Sequence, residues 1–503
     1  MAEKAYLAAD LGASGGRVLA GLFDGERIRL EELHRFENQA VEAAGSLYWD
    51  VLQLWSHVRD GLRQAGRRFG QAVESVGVDT WGVDFALLGR GDVLLENPHS
   101  YRDPRSTGMM DRAVAALGRK EIFAQTGLQF MPINSLYQFM SLRASRSPLL
   151  DVAESLLLMP DLFHWLLTGV KGNEYTNATT TQFFDPTRRT WATDLLGRLE
   201  LPAHLLGQIV EPGTRLGPLR SQVAKDTGLS GVDVVLPGTH DTASAVLAVP
   251  ASQVGETPNW CYISSGTWLL MGVELPRPII NDECLRLNFT NEGGVGKTVR
   301  LLKNITGLWL LQECRRVWRE AGRDQSWEEI SRQAEASPPL ASLVDPDHAA
   351  FQTPGDMPAA IQEFCRRSGQ SVPESVGQIA RCAVESVAMK SRWVLAGLES
   401  LAGSRLETIH IVGGGTQNRA LCQATADACG RPVLAGPVEA TALGNVMVQA
   451  IASGAVSSIA QARDVIRLSF PLDRYEPRHS SAWNDAYARF VERCLLPTAA
   501  GND

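Results

Sequence analysis

The chain has 503 residues, of which 44% are hydrophobic and 21% charged, with a net charge of -8 and a pI near 5.7. At roughly 100–200 residues per domain this amounts to two or three ordinary globular domains. The acidic balance lacks the basic footprint of a nucleic-acid binder, no stretch approaches the apolar length of a membrane span, and the opening MAEKAYLAADLG reads as no signal peptide. Eight scattered cysteines without CxxC spacing fit reduced, mostly buried thiols in a cytoplasmic chain.

Segment 6–36 reads as three strands: an apolar run ending at Asp10, a glycine-rich turn, VLAGLF, an Asp24-Gly25 turn and an alternating third strand. A helical pattern covers about 50–69, and ESVGVDTWGVDFALLG (74–89) gives a buried strand, a turn and another strand. Residues 110–230 are mainly helical in pattern, with loops expected at Pro132, Pro160 and Pro186. VDVVLPGTHDTASAV (232–246) reads as a strand, a Pro-Gly turn and a helix starting near Asp241. The strand–turn–strand NWCYISSGTWLLMGVEL (259–275) repeats the opening theme, so two similar domains facing each other are expected, 1–246 and 247–503. A long amphipathic helix covers 375–402, then 408–437 reads as strand, glycine turn, helix, strand. The last helix, about 479–496, is expected to pack back on the first domain.

Three motif matches mislead. Gly12-Ala13-Ser14-Gly15-Gly16 fits a GxSxG nucleophile elbow, but Arg17-Val18-Leu19-Ala20 continues as strand where an elbow requires a helix. Gly296-Lys297-Thr298 resembles the end of a P-loop, but Asn291 occupies the first required glycine position. Gly413-Gly414-Gly415 follows a strand as a dinucleotide fingerprint does, but Asn418 stands at the third glycine.

What remains is four glycine-rich turns at strand ends. The first sets Asp10 beside the amides of Gly12 to Gly16; glycines let such amides approach phosphate oxygens, and Asp10 would suit Mg2+, directly or through water, or serve only as a turn former. The second, Ser264 to Thr267, offers amides and hydroxyls from the other half of the chain. The third, Gly413 to Asn418, leaves a flat bed for a nucleoside or simply packs closely on its strand. The fourth carries Asp241 at a helix start, where the dipole favours a solvated, ionised carboxylate. From the residues alone Asp241 is either a general base for phosphoryl transfer or an N-cap.

Taken together, ADLGASGGR (9–17), VGVDTWGVDFALL (76–88), YRDPR (101–105), EYTNATTTQ (174–182), THDTASAV (239–246), ISSGTW (263–268), LKNITGLWLLQ (302–312), HIVGGGTQN (410–418) and GPVEATALGN (436–445) resemble the FGGY carbohydrate kinases over nearly the whole chain. Within that family TWGVDF, THDTASAV and LKNITGLWLLQ are similar to the rhamnulokinase branch. The resemblance implies an α/β, two-domain actin/hexokinase-like (ribonuclease H-like) fold with a cleft between domains. It implies phosphorylation of L-rhamnulose by ATP with Mg2+ in a cytoplasmic monomer or homodimer. It gives Asp241 the role of base, and Gly82, His240, Thr242 and Asn304 that of sugar contacts beside it. Ala13, Ser14, Gly15, Gly16 and Arg17 would form the first phosphate loop; Thr267, Gln312 and Gly414 would touch ATP. Gly15 stands where many relatives carry serine. A kinase for L-fuculose or xylulose, and an actin-like assembly ATPase, are the alternatives.

Overall fold

The structure, a computed structural model, describes residues 3–251, 255, 257–266, 268–478 and 480–495. The elements that matter for function are, in chain order, β1 (Lys4–Leu11), β2 (Gly15–Phe23), β3 (Ile28–Glu37), α1 (Val51–Phe69), β4 (Val73–Thr80), α2 (Met159–Thr168), β5 (Arg215–Pro218), β6 (Asp233–Val235) and α3 (Asp241–Leu247). They continue as β7 (Trp260–Ser265), β8 (Trp268–Leu275), β9 (Val299–Thr306), α4 (Trp309–Glu320), α5 (Val376–Ala402), β10 (Thr408–Val412), α6 (Arg419–Cys429), β11 (Val433–Ala435), α7 (Ala440–Ala452), β12 (Asp473–Tyr475) and α8 (Ser480–Phe490).

Local chemistry sets most of these boundaries. Asp24 Oδ1 accepts the backbone N–H groups of Glu26 and Arg27 at 2.8 and 2.7 Å, closing the β2–β3 hairpin. Asp50 caps α1 through the N–H of Gln53, and Ser375 with Gln378 forms a capping box at the start of α5. Pro160 departs from expectation: it lies in the first turn of α2, not in a loop, because a helix's first turn has no use for the missing N–H. The 110–230 region also holds short strands, among them Ala153–Leu158, Phe184–Asp185 and Thr190–Trp191, which pattern alone did not separate from helix.

The chain forms two compact units. Unit 1 comprises Met1–Glu256, Glu274–Leu301 and Glu439–Pro471; unit 2 comprises Thr257–Val273, Leu302–Val438 and Leu472–Asp503. Unit 1 is built on a sheet of order β5-β6-β4-β1-β2-β3. β1 runs antiparallel to β2 and parallel to β4, and β4 parallel to β6. Val18, Val76 and Val78 in the sheet join Val58 and Leu62 of α1 and Leu162 of α2 in one apolar core. Helix α7 packs on β1 and β4 and against α3.

Unit 2 repeats the theme: strand order β8-β7-β10-β11-β12, with β7 antiparallel to β8 and parallel to β10, and β10 parallel to β11. Helix α6 packs on α5, and α8 packs on α6 within this unit. The segment that rejoins unit 1 is Glu439–Pro471, which carries α7. All eight cysteines are free and buried, and no helix among the described residues is long and apolar enough to cross a membrane.

Candidate active site

In unit 1 the parallel register of β1 and β4 sets Asp10 opposite Asp79, while the β1–β2 hairpin sets Asp10 opposite Arg17. Arg17 donates from Nε and Nη2 to Asp10 Oδ2 at 3.1 and 2.9 Å, and its Nη1 lies 2.5 Å from Glu439 Oε2. Burial works against the Arg17 charge, but Asp10 and Glu439 outweigh it and hold the guanidinium firmly protonated. Asp79 is fully buried. Its Oδ2 accepts from Asn445 Nδ2 on α7 at 2.5 Å, while Oδ1 has no hydrogen-bond partner. Burial first, then the neighbouring Asp10 and Asp241, push the Asp79 carboxyl well above its ordinary range.

The loop leading into α3 is fastened from below. Thr80 N–H at the end of β4 donates to Thr239 O at 2.9 Å. Buried Glu174 accepts on Oε2 from the N–H and hydroxyl of Thr239 (3.2 and 2.5 Å) and from the hydroxyl of Thr176 (2.6 Å). The N–H of His240 donates to Thr176 Oγ1 at 3.1 Å. His240, in extended conformation, holds the N-cap position of α3, and Asp241 is the first helical residue. The cap is therefore not what Asp241 supplies. Its Oδ1 accepts from the N–H of Thr242 at 2.6 Å and the Thr242 hydroxyl at 3.2 Å, and lies 3.4 Å from His240 Nε2. The Asp241 side chain is 32% exposed, and its carboxyl is raised above the ordinary aspartate range by burial, against the pull of His240, with Asp10 adding to the rise. The carboxylate is thus partly solvated, where the sequence predicts a well-solvated one, and the seven-residue helix that Asp241 opens does not offset that burial.

His240 is backed by two more charges. Arg300 Nη2 lies 3.0 Å from His240 Nδ1, Glu292 Oε2 lies 3.4 Å from the same nitrogen, and Arg300 Nη2 and Glu292 Oε2 are 3.2 Å apart. Burial pushes the Glu292 carboxyl up, but His240 and Arg300 together hold it below the usual range.

The first glycine turn is a hairpin loop between β1 and β2 and leads into strand, as the sequence requires of a non-hydrolase. It is braced by Gly12 N–H on Gly15 O (2.9 Å) and by Asn38 Nδ2 on Gly12 O (2.8 Å). Ser14 is exposed at its tip, with Ala13 and Gly15 half-buried and Gly16 buried. A Cβ on Gly15 would lie 3.2 Å from Phe36 O. Gly82 is also close-packed: a Cβ there would sit 2.9 Å from Thr180 Oγ1. Two residues on, buried Asp84 accepts from Trp49 Nε1, Trp81 Nε1, Tyr101 N–H and Gln138 Nε2; burial, opposed by these bonds, brings its pKa to about 6.

In unit 2 the second and third turns meet. Ser265 at the end of β7 lies under the glycine turn after β10, where a Cβ on Gly413 would be 2.9 Å from Ser265 O and one on Gly415 1.8 Å from Ser265 Oγ. Gly413 has φ +87, which glycine alone adopts without strain. Gly414 is exposed and a Cβ on it would meet nothing within 4 Å. The turn passes through one 3-10 turn, Gly414–Gln417, before Asn418 caps α6 through the N–H of Leu421 at 3.0 Å. Asn304 sits on β9 and Gln312 on the first turn of α4, both half-buried. Thr267 lies outside the described residues.

The structure thus gathers Asp10, Arg17, Asp79 and Glu439 at one point of unit 1, and His240, Asp241 and Thr242 on the neighbouring loop, while Asn304, Gln312 and Gly414 belong to unit 2. For Mg2+, the orphaned buried oxygen Asp79 Oδ1 beside Asp10 gives a pair of hard carboxyl oxygens that fits the ion. Among the described residues the one group of three metal-type side chains that converges is His34, His57 and Asp60, elsewhere in unit 1. A site at Asp10 would accordingly keep water among its ligands, as magnesium does. Sequence reasoning missed Asp79, Glu174, Glu292, Arg300, Glu439 and Asn445. Asp79 had a signal: it ends an apolar strand as Asp10 does. The others are polar residues brought in from distant segments.

Family models match both parts of the chain: the FGGY family of carbohydrate kinases, N-terminal domain, over residues 5–248, and C-terminal domain, over 261–453. A rhamnulokinase of Bacteroides thetaiotaomicron is 44% identical over 485 residues, covering 96% of this chain and 98% of that protein. One of Pectobacterium atrosepticum is 42% identical over 493 residues, covering 97% and 96%. Among solved structures, gluconate kinase from Lactobacillus acidophilus superposes with a TM-score of 0.81 at 15% identity, covering 98% of this chain and 97% of that one, a likeness of fold. The fold is the two-domain actin/hexokinase-like one, and the chain belongs to the FGGY family of carbohydrate kinases, which are ATP-dependent sugar kinases.

Proposed function

We propose that the protein transfers the γ-phosphoryl group of ATP to the primary hydroxyl of L-rhamnulose, giving L-rhamnulose 1-phosphate and ADP, with Asp241 as general base. The observation that carries the substrate is the full-length identity of 42–44% to relatives named rhamnulokinase. The observation that carries the base is Asp241, a carboxylate of raised pKa held by Thr242 beside His240.

In this reading Gly82, His240, Thr242 and Asn304 hold the sugar, and Asp241 takes the proton of the attacking hydroxyl. A carboxylate whose pKa is raised by burial is a stronger base than an ordinary aspartate. The amides of Ala13 to Gly16 hold phosphate oxygens, with Arg17 kept charged by Asp10 and Glu439. Ser14 belongs to that phosphate loop, and Thr267, Gln312 and Gly414 hold the nucleotide. Asp10, with Asp79 behind it, would hold Mg2+, which supplies charge neutralisation on the phosphates when bound. Most of the rate comes from positioning and electrostatics. The chain acts in the cytoplasm as a monomer or homodimer, and residues 1–246 and 247–503 are its two kinase halves.

Incubation with L-rhamnulose and ATP should give one new monophosphate whose phosphorus-31 signal splits as a triplet, since the ester sits on a CH2 carbon. A doublet, from a secondary hydroxyl, overturns the regiochemistry.

A further inference from the structure

We infer that Arg300 and Glu292 fix the tautomer of His240, so that its Nε2–H is always the donor facing Asp241 and the sugar. This rests on the reading of His240 as a sugar contact. Arg300 stands on β9 with its side chain fully buried, and a guanidinium has only donors and does not deprotonate in proteins. With Nη2 3.0 Å from His240 Nδ1, the one hydrogen bond possible is N–H to the Nδ1 lone pair. The proton of the neutral ring is then on Nε2, the nitrogen 3.4 Å from Asp241 Oδ1.

Glu292 gives the buried guanidinium its counter-charge at 3.2 Å, and Arg300 Nε anchors the group on Gly293 O at 2.9 Å. Arg300 Nη1, also buried, has no hydrogen-bond partner. A cation sunk behind the site with one donor unsatisfied is a poor way to stabilise a fold and a good way to orient one imidazole. Glu292 makes the arrangement directional. Its Oε2 is 3.4 Å from Nδ1, so without Arg300 it would draw the ring proton to Nδ1 and leave Nε2 a bare acceptor against the base.

Arg300 and Glu292 are positioning residues, and the readout is the tautomer itself. Nitrogen-15 imidazole shifts, recorded at about pH 8 where an ordinary imidazole is neutral, identify His240 by the signals lost in His240→Gln. Wild type and Arg300→Lys should show Nε2 protonated; Arg300→Met should show Nδ1 protonated. In Arg300→Met the KM for sugar should rise about tenfold, the size of one lost hydrogen bond, with the KM for ATP unchanged. A wild-type ring protonated at Nδ1, or an Arg300→Met ring unchanged, overturns the inference. If Arg300→Met does not fold, wild type and Arg300→Lys still decide it. The spectra need no substrate, so failure of the sugar assignment leaves this result standing, and the reverse.

Discussion

Opposing influences act on the carboxyl of Asp241: burial raises its pKa, His240 and the two bonds from Thr242 oppose the rise, and Asp10 adds to it. If that carboxylate takes the proton of the sugar hydroxyl, Asp241→Asn keeps the shape and the bonds from Thr242 but loses about 10²–10⁴-fold in kcat, the usual size of a general-base contribution. Steady-state kinetics with unchanged nucleotide affinity is the expected result; near-normal turnover contradicts the role. Asp79 shows the converse. An aspartate in the unfolded chain releases its proton near pH ~3.9, whereas Asp79 holds its proton to higher pH in the folded one. Between those values the folded state binds more protons, so this group's contribution to stability falls as pH rises, and at neutral pH it is a net penalty. Asp79→Asn, which keeps an oxygen for Asn445, should therefore raise Tm at neutral pH in EDTA, flatten its pH dependence and lower kcat. A lower Tm would contradict the burial argument. Asp10 and Asp241 were legible because each ends or begins an element next to glycines. Glu292, Arg300 and Asn445 were not, since their partners lie 52, 60 and 366 residues away in sequence or are themselves ordinary polar side chains.

Where α3 crosses α7, the helices touch at a glycine: a Cβ on Gly444 would lie 1.8 Å from Ser244 O. Two effects compete in Gly444→Ala. Alanine inside a helix gains about 1 kcal/mol over glycine, but forcing a methyl into closed backbone packing costs about 1–3 kcal/mol. Because the obstacle is backbone, the second wins, and it displaces the helix that begins with Asp241. The variant should melt lower and lose kcat by more than its stability loss explains; a variant as stable and active as wild type contradicts the crossing. At this scale the sequence was most readable where turn and cap chemistry are local, as at Asp24, Asp50 and Ser375. It was least readable at Pro160, where a residue that ends helices in most contexts opens one, and through 110–230, where strands of two to six residues are too short to show a period.

Both units carry the same local scheme: a hairpin with a glycine-rich loop, flanked by a parallel strand. That repetition was visible in the sequence, because glycine and serine at a strand end are local. The return of Glu439–Pro471 to unit 1 was not visible, since what sends α7 there is the close fit of Gly444 and the reach of Asn445 to Asp79. The family follows from both matched domain models, and the proposed sugar rests on full-length relatives named rhamnulokinase. The central claim is therefore tested by ADP release from purified protein with ATP and Mg2+, offered L-rhamnulose, L-fuculose, L-xylulose, D-xylulose, glycerol or no sugar. Stimulation by L-rhamnulose well above every other sugar is the predicted result; preference for another sugar, or no stimulation by any, would contradict it.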